Sequence, residues 1–287
     1  MKIAIAKSFN GLHNKYKKYF KQLGANPFLF NIDTIDWYNV EKTKKPNVYF
    51  WYADQKEERY NIILDKIYFI EKIIKKPVFP DSNMYFSFAN KVRQYQIFKT
   101  LNLPTPKTFI LTTKNDALRF IKKTKYPFIF KDPYGYDGLH VFKVDNEKQA
   151  IQKVKQIFSL GLKTGSSVCK DVFYTQEFIK TEKDLRLITI GKKAVCAYWR
   201  QGSSWKHNVH SSAQIKFDNI PKTVVDFCIR LSAKMNFHWM AYDFIVKPNN
   251  KFYLIEWSCN FGTKGADIQN INIRLEQSKH VIKILKK

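Results

Sequence analysis

Cysteine is scarce in this chain, and its placement excludes several chemistries. The four thiols, Cys169, Cys196, Cys228 and Cys259, have no paired spacing, so neither a zinc site nor a disulfide framework is expected. Reduced thiols fit a cytoplasmic protein. No apolar run reaches the length of about 18 residues that a membrane span requires. The apolar run after Met1 is too short for a signal peptide. Gly-Lys-Ser/Thr is absent, which excludes a Walker phosphate loop. There is no helix-turn-helix, zinc-finger or ribonucleoprotein signature, and no Ser or Cys nucleophile in a triad arrangement. Repeats, low-complexity tracts and long linkers are also missing. Acidic residues are in deficit: 24 against 50 lysines and arginines leave a formal net charge of +26. Such a balance fits an anionic partner, whether nucleotide, acidic peptide, nucleic acid or membrane surface. The lysines are scattered rather than clustered, as compositional bias also produces.

With 287 residues, 45% hydrophobic and 16% aromatic, the chain can bury a full core. Residues 1–6 read as a strand and 12–23 as a lysine-rich helix closed by Gly24. Short apolar runs at 28–32 and 48–52 and a helix over 59–74 follow. This alternation predicts a small parallel α/β domain over residues 1–84. Next come a helix over 86–101, a strand at 108–112, a helix at 115–124, strands at 127–131 and 140–144, and a helix at 147–158. They form an α+β unit assigned to residues 85–170. Strands at 172–179, 184–190 and 194–200 and a hairpin over 240–258 dominate residues 171–287, with one helix near 221–236. Val224, Cys228, Leu231 and Met235 share one face of that helix.

The hairpin carries the sharpest chemical signal. Asn249-Asn250 reads as a two-residue turn, since Asn tolerates positive φ. Counting outward, Lys247 meets Phe252, Ile245 meets Leu254, and Asp243 falls opposite Glu256. Carboxylates about 4.5–5.5 Å apart at Cβ repel unless a cation sits between them. A hard divalent ion such as Mg²⁺ suits that pair; a chance pair of edge-strand acids is the plainer alternative. Alternation puts Ser258, and Asn260 if the strand continues, on the face of Glu256.

Three further stretches stand in order along the chain. Pro127-Phe-Ile-Phe-Lys-Asp-Pro-Tyr-Gly-Tyr-Asp-Gly-Leu-His-Val141 reads as strand, loop and strand, with Lys131 at the loop mouth. Gly135 and Gly138 permit tight turns and close backbone approach to an anion. Thr175-Gln-Glu-Phe-Ile179 precedes Asp184-Leu-Arg186. Arg200 and the run Lys206-His-Asn-Val-His210 supply cationic and amide donors.

In this joint order, with Lys91 in the preceding helix, the chain resembles the ATP-grasp superfamily, most closely its RimK-like branch of amino-acid and peptide ligases. The resemblance covers about residues 80–265. It implies an α/β (α+β) ATP-grasp fold, a small N-terminal parallel domain followed by two α+β subdomains gripping ATP. By this resemblance Lys91 and Lys131 look like nucleotide-phosphate lysines, and Glu177 and Phe178 like the adenine hinge. Asp184 matches a nucleotide-binding acid. Lys206 and Asn208 match a phosphate-facing cluster, and Arg200 a position that holds carboxylate or phosphate oxygens. Asp243 and Glu256 match the magnesium carboxylates, with Mn²⁺ as an alternative ion. The family usually has Glu-x-Asn where this chain has Glu256-Trp-Ser258. The third ligand position therefore falls either to Ser258 or a water, or to Asn260 if a bulge near residues 257–259 brings it back.

The implied reaction is ATP-dependent carboxylate–amine ligation through an acyl phosphate. Its substrates would be a carboxylate and an amine, for instance an amino acid or acidic peptide, and a homo-oligomer is compatible with the sequence. A ligase-inactive ATP-binding protein of the same fold and a basic nucleic-acid-binding protein are the other readings.

Overall fold

The computed structural model describes residues 1–286 except 9, 35–38, 52–59, 89, 136, 137, 165, 166 and 203–213. Its N-terminal part alternates strands and helices: β1 (Lys2–Ala6), α1 (Leu12–Gln22), β2 (Asn26–Phe30), α2 (Asn39–Lys44), β3 (Val48–Phe50), α3 (Tyr60–Tyr68) and β4 (Val78–Phe79). The four strands pair in parallel in the order β2-β1-β3-β4. The helix expected over 59–74 is α-helical only to Tyr68, then continues as a π turn, Phe69–Ile73. The helix expected over 86–101 forms only as α5 (Lys91–Thr100), and a separate short helix, α4 (Ser82–Phe86), ends where it was expected to begin. Asp81 and Asn90 each cap one of them, through bonds from Met84 N and Arg93 N, so the second start signal wins over the continuous pattern.

The central part contains β5 (Thr108–Leu111), α6 (Lys114–Lys123), β6 (Phe128–Lys131), β7 (Val141–Val144), α7 (Glu147–Ile157), the short hairpin β8 (Leu162–Thr164) and β9 (Ser167–Cys169), and β10 (Phe173–Glu177). Thr113 and Asn146 cap the two helices. The main sheet runs β5-β10-β6-β7, antiparallel throughout. Strand β10 thus joins the central sheet although it lies beyond residue 170. Phe130 stacks on Phe173 at 4.9 Å within a separate core.

The last part contains β11 (Lys183–Ile190), β12 (Lys193–Gln201), β13 (Gln214–Lys216), α8 (Lys222–Lys234), β14 (Trp239–Val246), β15 (Phe252–Ser258), α9 (Lys264–Ile268) and α10 (Ile273–Leu285). Its antiparallel sheet runs β13-β12-β11-β14-β15. The sequence pointed to one helix here; α9 and α10 are additions. Asn272 caps α10, whose Gln277 and Arg274 are buried against Tyr16 of α1. Because α10 packs on another helix with polar groups in the interface, its apolar stripe is interrupted and its periodicity faint. Trp239 joins this sheet to the N-terminal one: its ring lies 6.2 Å from Phe50 and 6.3 Å from Phe79. One continuous core underlies both.

The hairpin register corrects the sequence reading in detail. Lys247 N bonds to Lys251 O and Asn250 N to Lys247 O, so the turn has three residues, Pro248, Asn249 and Asn250. Pro248 pre-sets φ for a type I turn, and Asn250, at φ 59°, supplies the left-handed residue after it. Phe252 therefore faces Val246 rather than Lys247, and Tyr253 rather than Leu254 faces Ile245. A bulge at Ile255 then shifts the register back, so Asp243 does face Glu256.

One glycine tests the packing around this sheet. A Cβ on Gly265 would press into the ring of Tyr198, well inside contact distance, whereas one on Gly262 would meet nothing. Gly265→Ala is expected to cost about 1–3 kcal/mol through overpacking and Gly262→Ala much less, as read by denaturant unfolding.

Candidate functional site

Ladder pairing places four polar side chains in a row across the last sheet: Tyr198 on β12, Arg186 on β11, Asp243 on β14 and Glu256 on β15. Two residues along, Arg200 faces Asp184 on the same sheet face. Arg186 grips Asp243 with two bonds, Nε to Oδ1 and Nη2 to Oδ2, each 2.7 Å. Arg200 donates from Nε to Asp184 Oδ1 at 2.5 Å and approaches Asp243 Oδ2 with Nη2 at 3.2 Å. The group is deeply buried; Arg200 is 5% and Asp243 6% exposed. Burial alone would push the Asp243 carboxyl up, but the two guanidiniums override it and hold the group down at about 2. Two acids and two bases neutralise one another, which is what permits four charges to be buried together.

The central sheet brings a cation to the same place. Lys131 ends β6, is 8% exposed, and donates from Nζ to Gln176 Oε1 at 2.7 Å. Gln176 is held in turn by Thr108. Burial lowers the Lys131 ammonium to about 8; Glu256 and Asp243 pull it up, while Lys91 pushes it further down. Lys91 opens α5, donates to Gly135 O at 2.5 Å, and stands 3.8 Å from Glu256 Oε2. Its backbone N–H bonds to Pro133 O, so the helix start is tied to the glycine loop. A Cβ on Gly135 would sit 2.9 Å from Leu139 O, and Gly138 has φ 71°; both positions need glycine.

The structure thus gathers Lys91, Lys131, Gly135, Asp184, Arg200, Asp243 and Glu256 around one centre. Asp184 is paired with Arg200, and Arg200 with two acids, so neither side chain is turned outward. Glu177 is exposed at the far end of β10, three residues, or about 10 Å, beyond Tyr174, the partner of Lys131. Phe178 follows it, with the Lys143 ammonium 5.3 Å from its ring. Ser258 ends β15; its hydroxyl donates to Asn260 O and accepts from Asn260 N. Both residues stay near Glu256, but the bulge lies at Ile255 rather than at 257–259. Lys206 and Asn208 lie outside the described residues. The sequence reading gave Arg186 no role; the Asp-x-Arg alternation puts it on the face of Asp184, but its partner Asp243 is set by the β11–β14 register.

Asp243 and Glu256 offer hard oxygen donors suited to Mg²⁺. Asp243 Oδ1 carries one hydrogen bond from Arg186 and retains a lone pair. Among the described residues no group of three or more acidic, His or Cys side chains is placed to hold a metal ion. The two carboxylates fit an ion that completes its shell with water and phosphate oxygens, as Mg²⁺ commonly does.

Known proteins resemble this chain in sequence and in fold. Residues 88–283 match the model of the RimK-like ATP-grasp domain. The α-aminoadipate–LysW ligase LysX of Saccharolobus solfataricus is 26% identical over 205 residues, 70% of this chain and 72% of that one. The coenzyme γ-F420-2:α-L-glutamate ligase of Methanococcus maripaludis is 24% identical over 208 residues, 70% of this chain and 69% of its own. The crystal structure of a RimK domain ATP-grasp protein from Sphaerobacter thermophilus superposes with a TM-score of 0.70 at 11% identity, covering 98% of this chain and all of that one. Such a likeness speaks for the fold.

Lys131 sets a pH signature. Unfolded, it keeps its proton to about 10.4; folded, it loses it near 8. Between those values the unfolded state binds the extra proton, so stability climbs with pH through that window. The difference in unfolding free energy between the protein and Lys131→Met should therefore shift in favour of the unsubstituted protein by up to about 3 kcal/mol from pH 8 to 10. A difference that is flat with pH would mean that Lys131 is solvated.

Proposed function

The chain belongs to the RimK-like ATP-grasp family, and from that premise we propose an ATP-dependent ligase that joins a carboxylate to an amine through an acyl phosphate. The observation that carries the reading is the convergence of Lys131 and Lys91 on the acidic pair Asp243 and Glu256. In this reading the nucleotide lies between the central and last sheets. Glu177 and Phe178 mark its adenine end, and Lys131, Lys91 and the loop of Gly135 and Gly138 its phosphate end. Lys206 and Asn208 would face the phosphates from the segment that follows β12.

Burial leaves Lys131 with a weakened hold on its proton; a phosphate beside it restores full charge, so the ammonium answers an anion strongly. Lys91 lies where it can neutralise charge developing on the transferred phosphoryl group. Asp243 and Glu256 would hold Mg²⁺, which would supply positive charge against the phosphates. Arg186 keeps Asp243 ionised and fixed in direction. Arg200, held by Asp184 and Asp243, would border the space where the substrate carboxylate is activated. The amine then attacks the acyl phosphate and phosphate leaves.

Two relatives are named for ligating α-aminoadipate and L-glutamate. Together with a net charge of +26, this supports an acidic amino acid or acidic peptide among the substrates. One observation favours a narrower reading, ATP binding without ligation: the Ser258 hydroxyl is committed to Asn260 where the family usually has Asn. ADP release that depends on an added carboxylate and amine separates the two.

ATP with Mg²⁺ should stabilise the fold by about 2.7 kcal/mol at a hundredfold excess over Kd. Asp243→Asn and Glu256→Gln should each lower ADP formation by about 10²-fold or more. Lys131→Ala should weaken nucleotide binding, while Lys17→Ala on α1 should not. No thermal shift at millimolar ATP would sink the proposal.

A further inference from the structure

We infer that Gln94 of α5 is a positioning residue for Glu256, setting the carboxylate by clamping the backbone beside it; this rests on the ligase reading above. Strand β15 is the outer strand of its sheet, so its outward backbone groups need partners from elsewhere. The bulge at Ile255 spaces those groups unevenly. Leu254 N is met by Pro104 O at 2.7 Å. The next outward residue is Trp257, and there the neighbour is a helix, whose mid-turn backbone groups are already bonded within the helix. Only a side chain carrying both a donor and an acceptor can stand in for a strand, and a carboxamide does so. Gln94 supplies it: Nε2 donates to Trp257 O at 2.9 Å, and Oε1 accepts from Trp257 N at 3.2 Å. The amide is 4% exposed, so water does not replace it readily.

Both flanks of the clamp are polar. Glu256 immediately precedes Trp257 and Ser258 immediately follows. One turn back along α5 from Gln94, Lys91 reaches Glu256 and the carbonyl of Gly135. A single helix face therefore fixes the backbone of the acidic strand, the charge beside its carboxylate and the glycine loop. The indole of Trp257 anchors the same segment, with Nε1 donating to Ser87 O at 3.0 Å and the ring 4.8 Å from Phe98. Without the Gln94 amide, the outward N–H and C=O of Trp257 would lose their partners, leaving only the β14 ladder and the indole to hold the backbone beside Glu256.

The test compares Gln94→Met, which removes donor and acceptor, Gln94→Glu, which keeps only the acceptor, and Gln277→Met, a buried amide that bonds to Tyr16 and Arg274 in the α1–α10 interface. Two quantities are read: the Mg²⁺ concentration giving half of the ATP-induced rise in melting temperature, and the hydrogen-exchange rate of the Trp257 amide without nucleotide. Partners that orient metal ligands typically change metal affinity by about 10–100-fold. Gln94→Met should raise the Mg²⁺ requirement about tenfold and expose the Trp257 amide, with Gln94→Glu in between. Gln277→Met should lower the melting temperature and leave both readings alone. A lower melting temperature in the Gln94 variants with an unchanged Mg²⁺ requirement would reduce Gln94 to a structural role. Should Gln94→Met not fold, Gln94→Glu alone decides by the same criterion. If the unsubstituted protein shows no Mg²⁺-dependent response to ATP, the ligase reading fails, whereas unaltered Trp257 exchange in the variants refutes the clamp itself.

Discussion

The pairing of Asp243 with Arg186 and Arg200 is the constraint on which the site depends. Ionised groups this deeply buried are tolerated only when each charge has a partner. Strands β11, β12 and β14 provide those partners by register: Asp243 faces Arg186, and Asp184 faces Arg200. A one-residue slip of any of these strands would turn its charges to the opposite face. The same alignment that builds the sheet therefore builds the site. The bidentate grip also defines the direction in which Asp243 Oδ1 presents its remaining lone pair.

Glu256 is held differently. It is partly exposed and meets Lys91 at 3.8 Å, a separation at which attraction is weakened by solvent. Its place is determined by the backbone of β15, and that backbone combines two irregularities of opposite effect. The three-residue turn displaces the ladder by one and the Ile255 bulge restores it. Between them, the apolar pairs near the turn sit in one register and the polar row in the other. The outward groups of the bulged strand are then closed by Pro104 O and the Gln94 amide.

Much of this was legible in the sequence. The opposition of Asp243 and Glu256 could be read, but the counting that gave it assumed a regular two-residue turn; the turn and bulge departures cancelled. The parallel alternation of the first part was visible because buried strands such as Val48–Phe50 are continuous apolar runs. Helix α10 was not, since its buried face carries Arg274, Gln277 and Ser278 and so lacks an apolar period. The start of α5 was hidden because its apolar face is weak, and the Asn90 cap that sets it is a single polar residue. Arg186 was quoted within Asp-x-Arg but its role needs the neighbouring strand, which sequence spacing cannot supply. Gln94 is more hidden still: a glutamine in a helix reads as a solvated residue until the strand edge beside it is known.

The departure at Ser258 ties these observations together. A serine hydroxyl reaches less far than an asparagine carbonyl, and here it is turned onto Asn260, closing the strand end as a local side-chain turn. With that oxygen engaged, the hard donors left in the row are Asp243 and Glu256. A site with two protein carboxylates tolerates less positional error in each than a site with three ligands, because no third bond compensates a misplaced one. Asp243 gains its precision from two arginines. Glu256 has no such clamp on its own oxygens, so its precision comes from the chain on either side: the bulge before it and the amide-bound Trp257 after it. In the proposed metal site, an engaged Ser258 hydroxyl would shift the geometric demand onto α5, the element that also carries Lys91 and ties down the glycine loop.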